Sequence, residues 1–266
     1  VNDLSMGTDM ALLEIYYYSK MLAKSNEFHV IIPDRLLESG QKECNVLWFL
    51  HAGGEDSEKV LRCTNVESYA VRHGFVVVLP SVEGSFYSNM QMGRYLDYVT
   101  LELPAYLSDL LGLVFKKENS IAAGGSMGGF GSWKLGFTHP ELYAAVAPFS
   151  GGSILKADFG PSFDEPHKRR FGTANLTKLA GTQYDLLHLA RQAAASGQDL
   201  PVFYTLCGTE DAIAYDAMVE TVEYCKELGM RVLWQSLPGG HSYDLWDPQL
   251  EKFMIWFLEH KEEIRV

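Results

Sequence analysis

A serine flanked by glycines, in the stretch Gly124-Gly125-Ser126-Met127-Gly128, is the part of this chain best suited to covalent chemistry. A short apolar segment precedes it and a helical pattern follows it directly. This context is typical of a nucleophile elbow, a strand-to-helix turn so tight that the serine hydroxyl is held at its tip. The first amides of the helix point at the serine and favour negative charge there. The pattern therefore predicts that Ser126 is a nucleophile for acyl transfer.

Other glycine-rich motifs fit this stretch less well. A phosphate-binding loop would end in Gly-Lys-Ser/Thr, but Phe130 stands where the lysine is needed. The dinucleotide-binding fingerprint requires Gly or Ala at its last position, where this chain has Lys134. The sequence also has no His-Glu-x-x-His motif and no Cys/His cluster. We therefore expect neither a cofactor nor a metal.

A serine hydroxyl attacks only when a base removes its proton, and the base is usually a histidine oriented by a carboxylate. Enzymes with this elbow carry the three residues in the order Ser, Asp/Glu, His, on loops after late strands. Two predicted strands end in such loops, Gly208-Thr209-Glu210-Asp211 and Pro238-Gly239-Gly240-His241. The order predicts His241 as the base and Asp211 as its carboxylate partner, with Glu210 as an alternative acid.

The remaining acids and histidines near these loops have simpler interpretations. We expect Asp216 to be a helix N-cap, and Asp244 and Asp247 to be solvated or capping residues. Six further histidines lie on predicted strands, helix ends or exposed faces, where a structural or solvent-facing role is expected: His29, His73, His139, His167, His188 and His260.

The tetrahedral intermediate of acyl transfer carries a negative oxygen, which backbone amides commonly stabilise. One such donor should be the amide of Met127, directly after the nucleophile. The other should come from the loop His51-Ala52-Gly53-Gly54, which follows a buried strand, and we assign it to Gly53. His51 itself is expected to shape the loop.

The pattern of apolar residues predicts an α/β fold with a mostly parallel central sheet flanked by helices. Residues 12–32 should form a hairpin of two edge strands, and a single helix near 60–72 should link two parallel strands. We expect residues 1–9 to be a leader or loose arm and 10–266 to be one domain, in which 153–196 form an insertion that partly covers the elbow. The predicted strands of the sheet are 45–50, 75–80, 120–125, 144–149, 201–207 and 231–237, and further helices are expected at 97–115, 216–228 and 248–261.

Composition narrows the possible partners and the compartment. A net charge of -12 argues against binding to nucleic acid or to anionic membranes, which require a basic surface. No apolar run approaches the roughly 18 residues needed to span a bilayer, and no signal peptide is evident. The four cysteines are widely spaced, so reduced thiols are expected rather than disulfides. These observations favour a cytoplasmic protein whose partner is a small molecule, with homo-oligomers also possible.

With these residues in place, the chain resembles the esterase D family of α/β-hydrolases, which includes S-formylglutathione hydrolases, feruloyl and acetyl-xylan esterases, and mycolyltransferases. The resemblance runs from about Met10 to the last helix and is closest to small bacterial tributyrin-type esterases. Five segments carry it: Glu14-Ile15-Tyr16-Tyr17-Tyr18-Ser19, Arg62-Cys63-Thr64-Asn65-Val66-Glu67, Glu102-Leu103-Pro104, Gly125-Ser126-Met127-Gly128-Gly129 and Cys207-Gly208-x-x-Asp211.

The resemblance implies an α/β-hydrolase fold, a triad of Ser126, Asp211 and His241, oxyanion donors at Gly53 and Met127, and hydrolysis of short acyl esters. This chain departs from the family in having His51-Ala52 in place of His-Gly, and Phe86-Tyr87 where the family often has tryptophan. Five residues could line the substrate pocket, although a core-packing role is equally open for each: Phe86, Tyr87, Met127, Phe149 and Trp246.

Three functions remain as alternatives to a serine carboxylesterase acting on short-chain acyl esters, including acetyl or feruloyl esters of sugars. They are a thioesterase of the S-formylglutathione type, an acyltransferase, and a catalytically silent hydrolase fold used for binding. The basic run Lys168-Arg169-Arg170 could meet an anionic substrate group, but an exposed turn on an acidic protein is the favoured interpretation.

Overall fold

The core of the protein is a mixed β-sheet. The computed structural model describes residues 9–264, and within that range eight strands form this sheet and two short strands form a separate ribbon. The strands are β1 (Met10–Ser19), β2 (Lys24–Pro33), β3 (Asn45–Leu50), β4 (Phe75–Pro80), β5 (Asn89–Met90), β6 (Gly93–Arg94), β7 (Ser120–Gly125), β8 (Ala145–Phe149), β9 (Val202–Gly208) and β10 (Val232–Leu237).

The strand order is β1-β2-β4-β3-β7-β8-β9-β10, with β5 and β6 forming the ribbon. All neighbours from β4 to β10 run parallel, whereas β1, β2 and β4 pair antiparallel. The predicted hairpin is confirmed, but of its two strands only β1 lies at an edge of the sheet. Phe28–Ile31 of β2 pair with β4, and this half of β2 is almost entirely buried because it is apolar on both faces. The alternating burial of β1 is that of an edge strand.

Helices cover both faces of the sheet, as predicted. They are α1 (Asp34–Ser39), α2 (Ser57–Cys63), α3 (Val66–His73), α4 (Tyr95–Asp97), α5 (Leu103–Leu111), α6 (Met127–Thr138), α7 (Asp164–Phe171), α8 (Leu186–Ala195), α9 (Tyr215–Glu227) and α10 (Tyr243–Ile264). A π-helical segment, Tyr98–Glu102, joins α4 to α5. In residues 9–264 we find no helix that is both long and apolar enough to span a bilayer.

The crossover between β3 and β4 differs from the single helix predicted. The hydroxyl of Thr64 donates to the carbonyl of Val60 and the chain turns, so α2 ends and α3 begins after Asn65. The carboxylate of Asp247, on α10, accepts from the backbone amide of Asn65 at 2.9 Å and from its side chain at 2.6 Å. This buried carboxylate therefore caps α3 from a distant helix, a long-range contact that helical periodicity does not reveal.

Two other predicted boundaries change. Asp216 lies in the first turn of α9 and is not its N-cap, which is Ala214. The last helix begins at Tyr243, two residues after His241, and continues through Pro248. Residues 1–8 of the predicted arm lie outside the described residues, while the carbonyl of Asp9 accepts a hydrogen bond from the amide of Asp34.

The insertion at 153–196 contains α7, α8 and two short 3₁₀ turns at Pro161–Phe163 and Leu176–Leu179. Lys134, buried on α6, ties this segment to the elbow helix by donating to the carbonyl of Gln183 at 2.9 Å. The insertion is therefore packed against the helix that follows Ser126.

Candidate active site

Ser126 occupies the turn between β7 and α6 with φ 55° and ψ -117°, a conformation that a residue with a side chain rarely adopts. Its amide donates to the carbonyl of Phe149 at 2.9 Å, and its carbonyl accepts from the amide of Phe130 at 2.9 Å. A Cβ on Gly128 would lie 2.8 Å from the carbonyl carbon of Leu50, so only glycine lets α6 pass β3 this closely. The predicted elbow is present in the structure.

The structure brings the three predicted residues into one hydrogen-bond chain. His241 Nε2 lies 2.8 Å from Ser126 Oγ, and His241 Nδ1 lies 2.7 Å from Asp211 Oδ2. Because a carboxylate only accepts, Nδ1 carries the hydrogen and Nε2 is free to accept the serine proton. The alternative acid, Glu210, is exposed and forms no hydrogen bond with His241.

Asp211 is buried, and its second oxygen, Oδ1, accepts from the amides of Ile213 at 3.2 Å and Ala214 at 3.0 Å. Burial alone would raise the pKa of this carboxyl, but the hydrogen bond and positive charge of His241 outweigh it and lower the pKa below its ordinary value. An ionised Asp211 can hold the imidazole and stabilise its protonated form.

A supporting network behind Asp211 was not predicted from the sequence. Ser150 has φ 48° at the end of β8, and its hydroxyl accepts from Trp246 Nε1 at 3.0 Å. The thiol of Cys207 lies 3.6 Å from both Ser150 Oγ and Asp211 Oδ2. Trp246 also meets the imidazole of His241 edge-on, with ring centroids 5.0 Å apart. The only sequence signal was the Ser150-Gly151-Gly152 turn after a buried strand.

The two predicted oxyanion donors lie side by side. An added Cβ on Gly53 would lie 3.7 Å from Cβ of Met127, and both residues line the same cavity as Ser126. The loop that carries Gly53 is held to α10, because Glu55 accepts from the hydroxyl of Tyr243 at 2.6 Å and from the amide of Ala52 at 3.3 Å.

His51 shapes this loop, as predicted. Its Nδ1 donates to the carbonyl of Ala52 at 2.8 Å, and its Nε2 accepts from the amide of Val82 at 2.9 Å. Burial lowers the pKa of His51 to about 4, so the ring is neutral and can accept as well as donate. The Tyr87 hydroxyl donates to the carbonyl of His51 at 3.0 Å.

The site opens into a cavity of about 480 Å³. Among the residues predicted to contact substrate, Phe86, Met127 and Trp246 line this cavity together with Gly53. Tyr87 and Phe149 do not: Tyr87 is buried against the His51 loop, and Phe149 is fully buried in the core. These two residues therefore support the site from behind.

The wall opposite Ser126 comes from the insertion. Of its lining residues, sequence reasoning named only Arg170 as a possible substrate contact, within a basic run for which this was the less favoured interpretation. The lining residues are Ile154, Ala157, Phe159, Phe163, Pro166, His167 and Arg170. His167, expected to be structural or solvent-facing, is buried in this wall. The basic run is not a uniformly exposed turn, because Lys168 and Arg169 are exposed whereas Arg170 faces the cavity.

A mostly parallel sheet, an elbow serine and a histidine within hydrogen-bond distance of it define a serine hydrolase of the α/β-hydrolase fold. The family model described as "Putative esterase" matches residues 19–257, and the chain belongs to this family. The protein is accordingly a carboxylic ester hydrolase.

Individual relatives agree with this assignment. An acetyl esterase of Caldicellulosiruptor saccharolyticus is 25% identical over 93% of this chain and 98% of its own. The substrate-bound structure of FphF, a fluorophosphonate-binding serine hydrolase of Staphylococcus aureus, has a TM-score of 0.81 with 26% identity, over 93% of this chain and 98% of its own. An S-formylglutathione hydrolase of Staphylococcus aureus has a TM-score of 0.81 with 27% identity and the same coverage.

Proposed function

We propose that this protein hydrolyses short-chain acyl esters through an acyl-serine intermediate, with Ser126 as nucleophile, His241 as general base and acid, and Asp211 as the carboxylate that orients His241. The observation that carries the proposal is the hydrogen-bond chain from Ser126 Oγ to His241 and on to Asp211, with bond distances of 2.8 and 2.7 Å. This hydrogen-bond chain faces a cavity of about 480 Å³, which is within the usual size range of small-molecule sites.

In the first half of the reaction, Ser126 Oγ attacks the ester carbonyl as its proton moves to His241 Nε2. The carbonyl oxygen becomes negative, and the amides of Gly53 and Met127 donate to it. When the tetrahedral intermediate collapses, the bond to the alcohol oxygen breaks and that oxygen takes the proton from His241. Water then repeats the sequence on the acyl-serine, which releases the carboxylic acid and restores Ser126.

The preference for short acyl groups is supported by the acetyl esterase relative, whose sequence aligns along nearly its whole length. A thioester substrate is the second candidate, because an S-formylglutathione hydrolase is similar in both sequence and structure. The same nucleophile would attack either carbonyl, so only the leaving group differs.

The test is turnover of p-nitrophenyl acetate, butyrate and hexanoate, alongside S-acetyl thioesters, by the wild type and by Ser126→Ala. The variant should lose at least about 10³-fold in kcat, since removing a triad nucleophile costs this much or more. Ser39→Ala, a surface serine, is the matched control and should be unaffected. A fluorophosphonate probe should label the wild type and not Ser126→Ala. Retention of most activity in Ser126→Ala, or failure of the wild type to label, would contradict the proposal.

A further inference from the structure

Arg170 is the one residue with a permanent charge that the insertion contributes to the cavity wall, within the part of the chain that the structure describes. Arg170 is partly buried and packs against the backbone of Gly84, where an added Cβ would fall 2.8 Å from its Cζ. The neighbouring cations behave differently: Arg169 is exposed, and Lys168 pairs with the exposed Glu165 at 2.6 Å. The inward orientation therefore belongs to Arg170 alone among the three.

Arg170 has no protein counter-charge. It forms no ion pair and no side-chain hydrogen bond with any of residues 9–264. Burial lowers the pKa of Arg170, and no neighbouring carboxylate offsets this effect. A partly desolvated cation without a partner costs folding free energy, and such a group in a cavity is a candidate for binding a ligand of opposite charge.

A second polar group lies one helical turn earlier on the same wall. His167 is 3% exposed, lines the cavity, and its Nε2 is buried without a hydrogen-bond partner among the described residues. Residues three apart share one face of a helix, so the two groups can meet one ligand. In its Nε2–H form, His167 would add a neutral donor beside the guanidinium.

Aromatic rings connect this wall to the nucleophile. The ring of Phe86 lies 5.4 Å from that of Phe130, on the elbow helix, and 5.3 Å from that of Phe171, next to Arg170. One ring therefore separates α6 from α7, and Ser126 and Arg170 line the same cavity, so one substrate can contact both residues.

We propose that Arg170, assisted by His167, binds a carboxylate of the substrate, and that the enzyme prefers esters that carry a carboxylate at the end directed towards the insertion. This inference rests on the proposed esterase function and names its substrate class. The protein carries a net charge of -12, so its overall field repels anions. A preference for an anionic ester therefore requires a local cationic site.

The carboxylate could lie on either side of the ester bond, and two matched pairs of substrates separate these cases. Mono-p-nitrophenyl glutarate and its glutaramate analogue test the acyl side, while 4-acetoxybenzoate and 4-acetoxybenzamide test the alcohol side. Within each pair the acid and amide have nearly the same shape and differ in charge. The measurement is kcat/KM for the wild type, Arg170→Gln and Arg169→Gln, the last removing an adjacent exposed charge.

The wild type should prefer the acid of at least one pair by about 10-fold or more, the usual effect of a charge-assisted hydrogen bond. Arg170→Gln should abolish that preference, because it should lower kcat/KM for the acid about 10-fold more than for the matching amide. Arg169→Gln should retain the preference. The proposal is overturned if the wild type favours neither acid, if Arg170→Gln slows acid and amide equally, or if Arg169→Gln has the same effect. Hydrolysis of the ester bond in the two neutral, amide-bearing substrates by the wild type tests the esterase function separately.

Discussion

Replacing Asp211 with asparagine tests the hydrogen-bond chain at the residue whose two side-chain oxygens each accept from a fixed donor. Oδ1 of Asp211 accepts from the backbone amides of Ile213 and Ala214, and Oδ2 accepts from His241 Nδ1 at 2.7 Å. An asparagine has one acceptor and one donor group in these positions. Backbone amides only donate, so the asparagine oxygen must stay with them and its NH₂ group must face His241.

This orientation reverses the tautomer of the histidine. An NH₂ group that donates to Nδ1 leaves the ring hydrogen on Nε2, and a protonated Nε2 cannot accept the proton of Ser126. The equivalent change in serine proteases lowers kcat about 10⁴-fold, which corresponds to about 5 kcal/mol of transition-state stabilisation. Binding should change little, because Asp211 is buried behind His241 and does not line the cavity. We therefore expect the loss in kcat and not in KM.

The assay is the steady-state hydrolysis of p-nitrophenyl acetate by the wild type, Asp211→Asn and Glu210→Gln, with the melting temperature of each as a folding check. Glu210→Gln makes the same chemical change at the adjacent, exposed carboxylate and should leave kcat within about twofold of the wild type. The reasoning fails if a folded Asp211→Asn keeps more than about a tenth of the wild-type kcat, or if Glu210→Gln loses as much.

Two further predictions concern the groups around this chain. Trp246→Phe keeps an aromatic ring but loses the 3.0 Å hydrogen bond to Ser150. The variant should therefore be less stable by about 1 kcal/mol in urea unfolding, and its kcat should fall several-fold. An unchanged kcat would show that Ser150 does not position Asp211. Burial lowers the pKa of Lys134 to about 7, below its value in the unfolded chain. At acidic pH the folded protein holds a buried positive charge, which destabilises it, and this destabilisation disappears as Lys134 loses its proton above about pH 7. Relative to Lys134→Met, the free energy of unfolding of the wild type should therefore rise by about 2 kcal/mol between pH 7 and 9, and a pH-independent difference would refute this.

The proposed catalytic residues could be identified from the sequence because each depends on a short local pattern. Ser126 requires the glycines around a strand-to-helix turn, and Asp211 and His241 directly follow parallel strands, whose carboxyl ends meet at one edge of a sheet. The split between α2 and α3 could not be predicted, because the buried Asp247 that caps α3 comes from the far end of the chain. Tyr87 and Phe149 illustrate the same limit, since an apolar residue near the elbow can face either the cavity or the core.

The insertion is where local patterns were least informative. Three consecutive basic residues resemble a solvated turn, yet successive residues of an α-helix are rotated by about 100°, so a short helix packed on a cavity must turn some of them inward. The spacing His167, Arg170 and Phe171 marks that face, and the rings of His167 and Phe171 do pack together, with centroids 5.7 Å apart. The packing of Phe171 and His167 on α7 thus determines which arginine lines the cavity. An insertion with a shifted aromatic position would present a different charge to the same triad, so substrate preference can change among related chains while the elbow stays constant.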